Sequence, residues 1–268
     1  MMAIDFELKD KYDINDLLSI ITALRAPDGC PWDRVQTHTS LKKSFIEETY
    51  EVIEAINQNS VSGLREELGD VLLQILLHAE IEREQGNFDF DDICNELCQK
   101  LVIRHPHVFA DVRAENEEQA LQSWDSVKAQ SKGVKKQSDT MVSIPIELPA
   151  LMRAQKIQSK AAKVGFDWEN ADGAFEKLFE EINELKAAIS QGDNADIEEE
   201  FGDLLFSCVN ISRFIGVDSE EALTASSNKF INRFKIVEQL AQKKGIIMKE
   251  ASLSELDKLW DEAKILAD

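Results

Sequence analysis

Eight carboxylates in two matched sets are the residues of this chain best placed to do chemistry. "FIEETYEVIEAI" (45–56) carries Glu48 and Glu51, and "REELGDVLL" (65–73) carries Glu67 and Asp70. "LFEEINELKAAI" (178–189) and "EEEFGDLLF" (198–206) carry Glu181, Glu184, Glu200 and Asp203. Glu48 to Glu67 is a step of 19 residues, and so is Glu181 to Glu200; Glu51 to Asp70 and Glu184 to Asp203 repeat the interval. Four acidic positions in register without an insertion mark an internal duplication. A ligand field of carboxylate oxygens suits hard divalent ions, Mg²⁺ first and Mn²⁺ as a substitute. The Glu-x-x-His pairs of a di-iron bundle are missing, as are a Walker A loop, an EF-hand loop and a Gly-rich dinucleotide turn.

A charge run is most often a solvated helix face, so these acids need a reason to be more. On a helical wheel of 64–81, Asp70 lies within about 60° of Glu67, and Gln74 and His78 within about 20°. Leu64, Leu68, Val71, Leu72, Leu73, Ile75, Leu76, Leu77 and Ala79 fill nearly every other direction. A helix apolar around so much of its circumference is expected to be buried, leaving a narrow polar stripe headed by two carboxylates. The second copy repeats this, with Phe201, Leu204, Leu205, Phe206 and Val209 around Glu200 and Asp203. On the preceding helix Glu48 points into the apolar arc between Val52 and Ala55, with Glu51 at its edge; Glu47 and Glu54 point away. Short turns make each helix pair antiparallel neighbours, so Glu48 and Glu51 can face Glu67 and Asp70. Like charges so placed either raise their pKa values or gather a cation.

The elements that must hold these sets are helical. Apolar periodicity predicts helices near 13–26, 40–58, 63–85, 91–104 and 115–130, then near 148–163, 172–190, 195–214, 219–243 and 252–266. "APDGCPWD" (26–33) reads as a loop, and "AQSKGVKKQSDTMVSIPIELP" (129–149) as a linker. The expected division is a first module over 1–130, a linker over 131–147 and a second module over 148–268. Fainter echoes support the duplication: Lys100 and Arg104 against Lys229 and Arg233, and Trp-Asp-x-x-Lys at 124 and 260.

Over its 268 residues the chain is 43% hydrophobic and 30% charged, which fits a globular rather than a disordered chain. A net charge of −21 argues against nucleic acid as a partner, because phosphate backbones need a basic footprint. No apolar run reaches the roughly 18 residues of a membrane span, and the charged N-terminus lacks a signal-peptide pattern; a cytoplasmic location is expected. Cys30, Cys94, Cys98 and Cys208 form no CxxC pair, so packing thiols are expected rather than zinc ligands.

The paired EExxE…ExxD helices resemble the MazG family of nucleoside triphosphate pyrophosphohydrolases. So do "GCPWDRVQTH" (29–38), "RHPHVFAD" (104–111) and "RAQKIQSKAAKVGFDW" (153–168), and the likeness runs over almost the whole chain. The resemblance implies an all-α fold of tandem four-helix-bundle modules that pair as a homodimer. It also implies Mg²⁺-dependent hydrolysis of NTPs and dNTPs, with broad base tolerance, to monophosphate and pyrophosphate. Carried over by position, the metal ligands would be Glu181, Glu184, Glu200 and Asp203, and in the first module Glu48, Glu51, Glu67 and Asp70. Nucleotide contacts would fall on Lys177 to Glu181, with Glu180 among them, on Glu198 and Glu199, and on Lys229, Arg233 and Trp260. Trp260 could stack on a base or simply pack in a core. The first Glu of each motif, Glu180 or Glu47, is the candidate water activator, with a neighbouring ligand as the alternative. A more selective dUTP or phosphoribosyl-ATP pyrophosphohydrolase, or a nucleotide-sensing module without turnover, would carry the same carboxylates.

Overall fold

A computed structural model of the chain describes residues 6–110 and 136–267, together with Asn116, Gln119 and Trp124. The described residues form helices and connecting turns, with no strand among them. The chain divides into two compact units, Met1–Ser131 and Lys132–Asp268.

In the first unit, α1 (Ile14–Arg25) starts at a capping box in which Asp13 and Asp16 satisfy each other's backbone N–H groups. After the one-turn α2 (Pro31–Arg34), Thr37 caps α3 (His38–Asn57) and Ser60 caps α4 (Val61–Gln85). Gly86, at φ 74°, ends α4 in the left-handed conformation that glycine adopts without penalty. Asp89 then caps α5 (Phe90–Arg104), which leads into the short α6 (Pro106–Phe109). The core joins Ile21, Leu41, Leu76, Leu77 and Ile81, flanked by Leu17, Leu18, Leu72 and Phe90. Buried Arg25 ties this unit together. Its guanidinium binds both oxygens of Glu84 at 2.8 Å and donates to the carbonyls of Asp33 (2.7 Å) and Gln36 (3.2 Å). The loop it holds leaves no room at Gly29, where a Cβ would lie 2.2 Å from the Ala23 carbonyl oxygen.

The second unit comprises α7 (Gln137–Val142), α8 (Ala150–Ala162), α9 (Ala171–Gln191), α10 (Asn194–Phe214), α11 (Ser219–Lys244) and α12 (Leu253–Ala267). Asn170, Asp193 and Asp218 cap α9, α10 and α11, and Gly192 and Gly245 end α9 and α11 at φ 78° and 65°. Helices α9 and α10 form one hairpin and α11 and α12 another, with α8 touching α10 and α11. The second hairpin buries Val237, Leu240, Ala241, Leu259 and Ala263. Asp167 and Arg213 form a salt bridge that fastens the segment before α9 to the end of α10, and Asn210 also accepts from Arg213.

Each helix expected on described residues is present, with ends shifted by one or two positions. The expected helix near 115–130 lies outside the described residues apart from Asn116, Gln119 and Trp124. Helix α7 falls inside the segment read as linker and packs on α8, so that stretch carries structure of its own. The wheel also over-predicts burial of α4. Leu76, Leu77, Ala79 and Ile81 are buried, yet Leu68 is 51% exposed and Val71, Leu72 and Leu73 are half-buried. The reason is that the core packs around the second half of α4, whereas the half beside the turn has α3 as its main neighbour within the unit. No helix among the described residues is long and apolar enough to cross a membrane.

Candidate functional site

The α3–α4 hairpin places Glu48 opposite Glu67 and Asp70. One oxygen from each lies within 4.8 Å of the others. Glu51 stands beside them, and its charge acts on both Glu48 and Glu67. Burial, followed by the charges of neighbouring carboxylates, raises the pKa values of Glu48 and Glu67 above the usual range. In the second unit the α9–α10 hairpin brings oxygens of Glu181, Glu184 and Glu200 within the same 4.8 Å. Glu200 is raised by burial and then by Glu184, Glu181 and Asp203. Asp203 lies outside the trio and adds to its field.

Glu181 is the most enclosed of these acids, at 3% exposed. Its Oε1 accepts from Lys177 Nζ at 2.7 Å, while its Oε2 is buried without a hydrogen-bond partner. A buried carboxylate oxygen with nothing to bind is costly unless a cation completes it. Oxygen donors, tight spacing and an orphaned buried oxygen fit a hard divalent ion, which Glu181, Glu184 and Glu200 would hold.

The other sequence-derived candidates are not members of either trio. Glu180 and Glu47 are on the wet side of their helices, paired with Lys177 (2.9 Å) and Lys43 (3.2 Å). Glu198 and Glu199 are exposed on the first half of α10. Lys229, Arg233 and Trp260 belong to the α11–α12 hairpin. There Trp260 packs on the Val237 cluster, with the Phe230 ring centroid 5.0 Å away. Trp260 therefore has a packing role in this structure; its ring remains half-exposed.

Sequence reasoning missed a second polar array. His38 Nδ1 lies 2.6 Å from His78 Nδ1, and His38 Nε2 lies 2.5 Å from Glu82, whose other oxygen accepts from Asn87 at 2.6 Å. His78 was visible as the end of the polar stripe on α4, but its partner is 40 residues away. Gln74, one turn before His78, is buried and its Oε1 has no hydrogen-bond partner.

Two all-helical units, each presenting a carboxylate trio across a helix hairpin, define a tandem all-α protein whose acidic clusters have the spacing of a possible metal site. Residues 36–109 and 171–237 match the model of the MazG nucleotide pyrophosphohydrolase domain. The chain is 49% identical over 249 residues to the nucleoside triphosphate pyrophosphohydrolase/pyrophosphatase MazG of Thermotoga maritima, covering 93% of this chain and 94% of that one. It is 43% identical over 254 residues to the nucleoside triphosphate pyrophosphohydrolase of Escherichia coli K12, covering 94% and 97%. The uncharacterized protein YabN of Bacillus subtilis is 45% identical across 94% of this chain and 52% of its own length. The chain belongs to the MazG nucleotide pyrophosphohydrolase family, with the family domain present twice, as the resemblance in its sequence implies.

Proposed function

We propose that the protein hydrolyses nucleoside triphosphates, NTPs and dNTPs alike, to monophosphate and pyrophosphate, using Mg²⁺ held by its carboxylate trios. The observation that carries this reading is the convergence of Glu181, Glu184 and Glu200 within 4.8 Å, matched by Glu48, Glu67 and Asp70. The Thermotoga maritima and Escherichia coli relatives, which are called nucleoside triphosphate pyrophosphohydrolases, align over nearly the whole chain. A bound divalent ion would supply charge neutralisation and polarisation of the triphosphate. Glu51 and Asp203 complete the two ligand sets from their margins. Lys229 and Arg233, one turn apart, offer positive charge to phosphate oxygens. Glu180, outside the trio and exposed, would take a proton from an attacking water, with Glu47 in the corresponding position of the first unit. The half-exposed Trp260 ring can stack on a base of any identity, which fits broad base tolerance.

We further read the active form as a homodimer. Phe175, Phe179, Phe201 and Leu205 are between 42% and 62% exposed on the helices that bear the second trio, and Tyr50, Ile53 and Leu68 repeat this in the first unit. Apolar faces of this kind call for cover.

The test is turnover of a panel of NTPs and dNTPs with Mg²⁺, with pyrophosphate and phosphate detected separately, for wild type, Glu200→Ala and Glu67→Ala. Pyrophosphate release lost in Glu200→Ala is the expected result. Release of single phosphates would mean that another bond is cut. Binding of Mg²⁺–NTP that raises Tm without turnover would make the protein a sensor.

A further inference from the structure

The two helix hairpins gather their carboxylates from the same four register positions, a different three in each unit, and they differ in resident charge. In the register that pairs Glu48 with Glu181, the residue one turn earlier is Ser44 in the first unit and Lys177 in the second. Lys177 Nζ lies 2.7 Å from Glu181 Oε1 and 2.9 Å from Glu180 Oε1. It thus bridges the enclosed ligand of the trio to the exposed glutamate beside it. Glu181 is a poor surface anchor but a strong internal one, since it is 3% exposed and its other oxygen has no partner. Removing the lysine from such a pair leaves a buried carboxylate without compensation.

A divalent ion entering the trio would meet Glu181 with one of its oxygens, Oε1, already engaged by the ammonium, and the two positive charges repel. The side chain of Lys177 is 36% exposed, so its four-carbon stem has room to swing the ammonium outward. We propose that Lys177 is an internal counter-cation of the second trio: it holds Glu181 in place while no metal is bound and weakens metal entry. Once displaced, it is free to engage the triphosphate. This rests on the metal-centred reading above and adds a coupling to it. Metal and nucleotide then bind cooperatively in the second unit, each tightening the other by the same factor. The first unit, with Ser44, takes metal without that coupling.

The experiment measures Mn²⁺ binding by the full-length chain, by electron paramagnetic resonance, with and without a non-hydrolysable NTP analogue. A Glu67→Gln background silences the first trio. Lys177→Met is expected to bind Mn²⁺ about tenfold more tightly than its parent without nucleotide, a size usual for linked ligands. The extra affinity that the analogue confers on Mn²⁺ should shrink by a similar factor. Lys177→Arg, which keeps the charge, should stay close to its parent. Equal or weaker Mn²⁺ binding by Lys177→Met overturns the proposal, as does an equal change in Lys177→Arg. If neither parent nor variant binds Mn²⁺ at millimolar concentration, it is the metal-centred reading itself that fails.

Discussion

Nδ1 of His38 lies 2.6 Å from Nδ1 of His78, with the two rings stacked at 4.9 Å and an interplanar angle of 7°. At that separation one proton sits between the rings, one nitrogen donating and the other accepting. Burial, then the neighbouring His38, depresses the pKa of His78. His78 thus binds fewer protons folded than unfolded between its lowered pKa and the ordinary value of about 6.5. Stability is therefore present above about pH 6.5 and lost as the pH falls through that window. Amide exchange of α4, corrected for its intrinsic pH dependence, should speed up in the full chain between pH 7.5 and 5.5. His78→Phe should flatten the response. An unchanged profile in that variant would place the pH sensitivity elsewhere.

Glu48, Glu67 and Glu200 titrate in the opposite sense. Burial first and like-charged neighbours next raise Glu48, Glu67 and Glu200 above the ordinary glutamate value. The folded protein then holds more protons than the unfolded chain from about pH 4.5 up to those raised values, so stability falls as pH rises through that window. A bound divalent ion relieves the same repulsion. Mg²⁺ should accordingly raise Tm more at pH 8 than at pH 5, and Glu181→Gln together with Glu67→Gln should abolish the difference. Calorimetry at the two pH values decides it.

Much of this architecture was legible in the chain because the signals are local. Asp13, Thr37, Ser60, Asp89, Asn170, Asp193 and Asp218 each supply a side-chain cap, and Gly86, Gly192 and Gly245 each mark a left-handed end. The two sets of four carboxylates were legible because duplication printed them twice at one spacing, but which three of each set converge was not. What was hidden depends on tertiary placement. Leu68 and Leu76 are both leucines on one helix, and whether a neighbour covers each is not a property of α4. His38 meets His78 across 40 residues. Lys177 and Glu181 stand at i, i+4, but that spacing alone cannot say that the carboxylate is the enclosed ligand of a trio.

Arg25 should be the costliest polar residue of the first unit to remove. Its side chain is 4% exposed and carries four hydrogen bonds, two to Glu84 and two to loop carbonyls. Arg25→Met keeps the volume but leaves the Asp33 and Gln36 carbonyls and the Glu84 carboxylate unpaired. Breaking one side of a buried pair costs about 3–5 kcal/mol, and the 38% exposure of Glu84 places this case near the lower end. Urea unfolding should show a loss of about 3 kcal/mol. A loss under about 1 kcal/mol would mean that water replaces the guanidinium cheaply.

The exposed phenylalanines of α9 and α10 give the proposed homodimer a direct test. Phe179 is 62% exposed and Phe201 52%. Specific interfaces are anchored by aromatic residues in fully covered positions, so losing both should weaken association severely. Sedimentation of the wild type at micromolar concentration should give twice the mass of the chain, and Phe179→Ser with Phe201→Ser should move it toward one chain. A wild type that sediments as a monomer down the whole concentration series would leave these faces for another role.

Glu180 separates proton transfer from metal holding. Its side chain is 57% exposed and bound to Lys177, whereas Glu181 next to it is enclosed and belongs to the trio. Adjacent residues on a helix point about 100° apart, so the two carboxylates cannot serve the same ion equally. If Glu180 activates water, Glu180→Gln should lower kcat by about 10²–10⁴-fold, the usual worth of a general base, while Mn²⁺ affinity changes little. Glu181→Gln should instead lower Mn²⁺ affinity and turnover together. Glu47→Gln applies the same test to the first unit, where Lys43 takes the place of the partner at 3.2 Å. Full turnover in Glu180→Gln would pass the role to a ligand of the trio. A matching fall in Mn²⁺ affinity would make Glu180 a ligand itself.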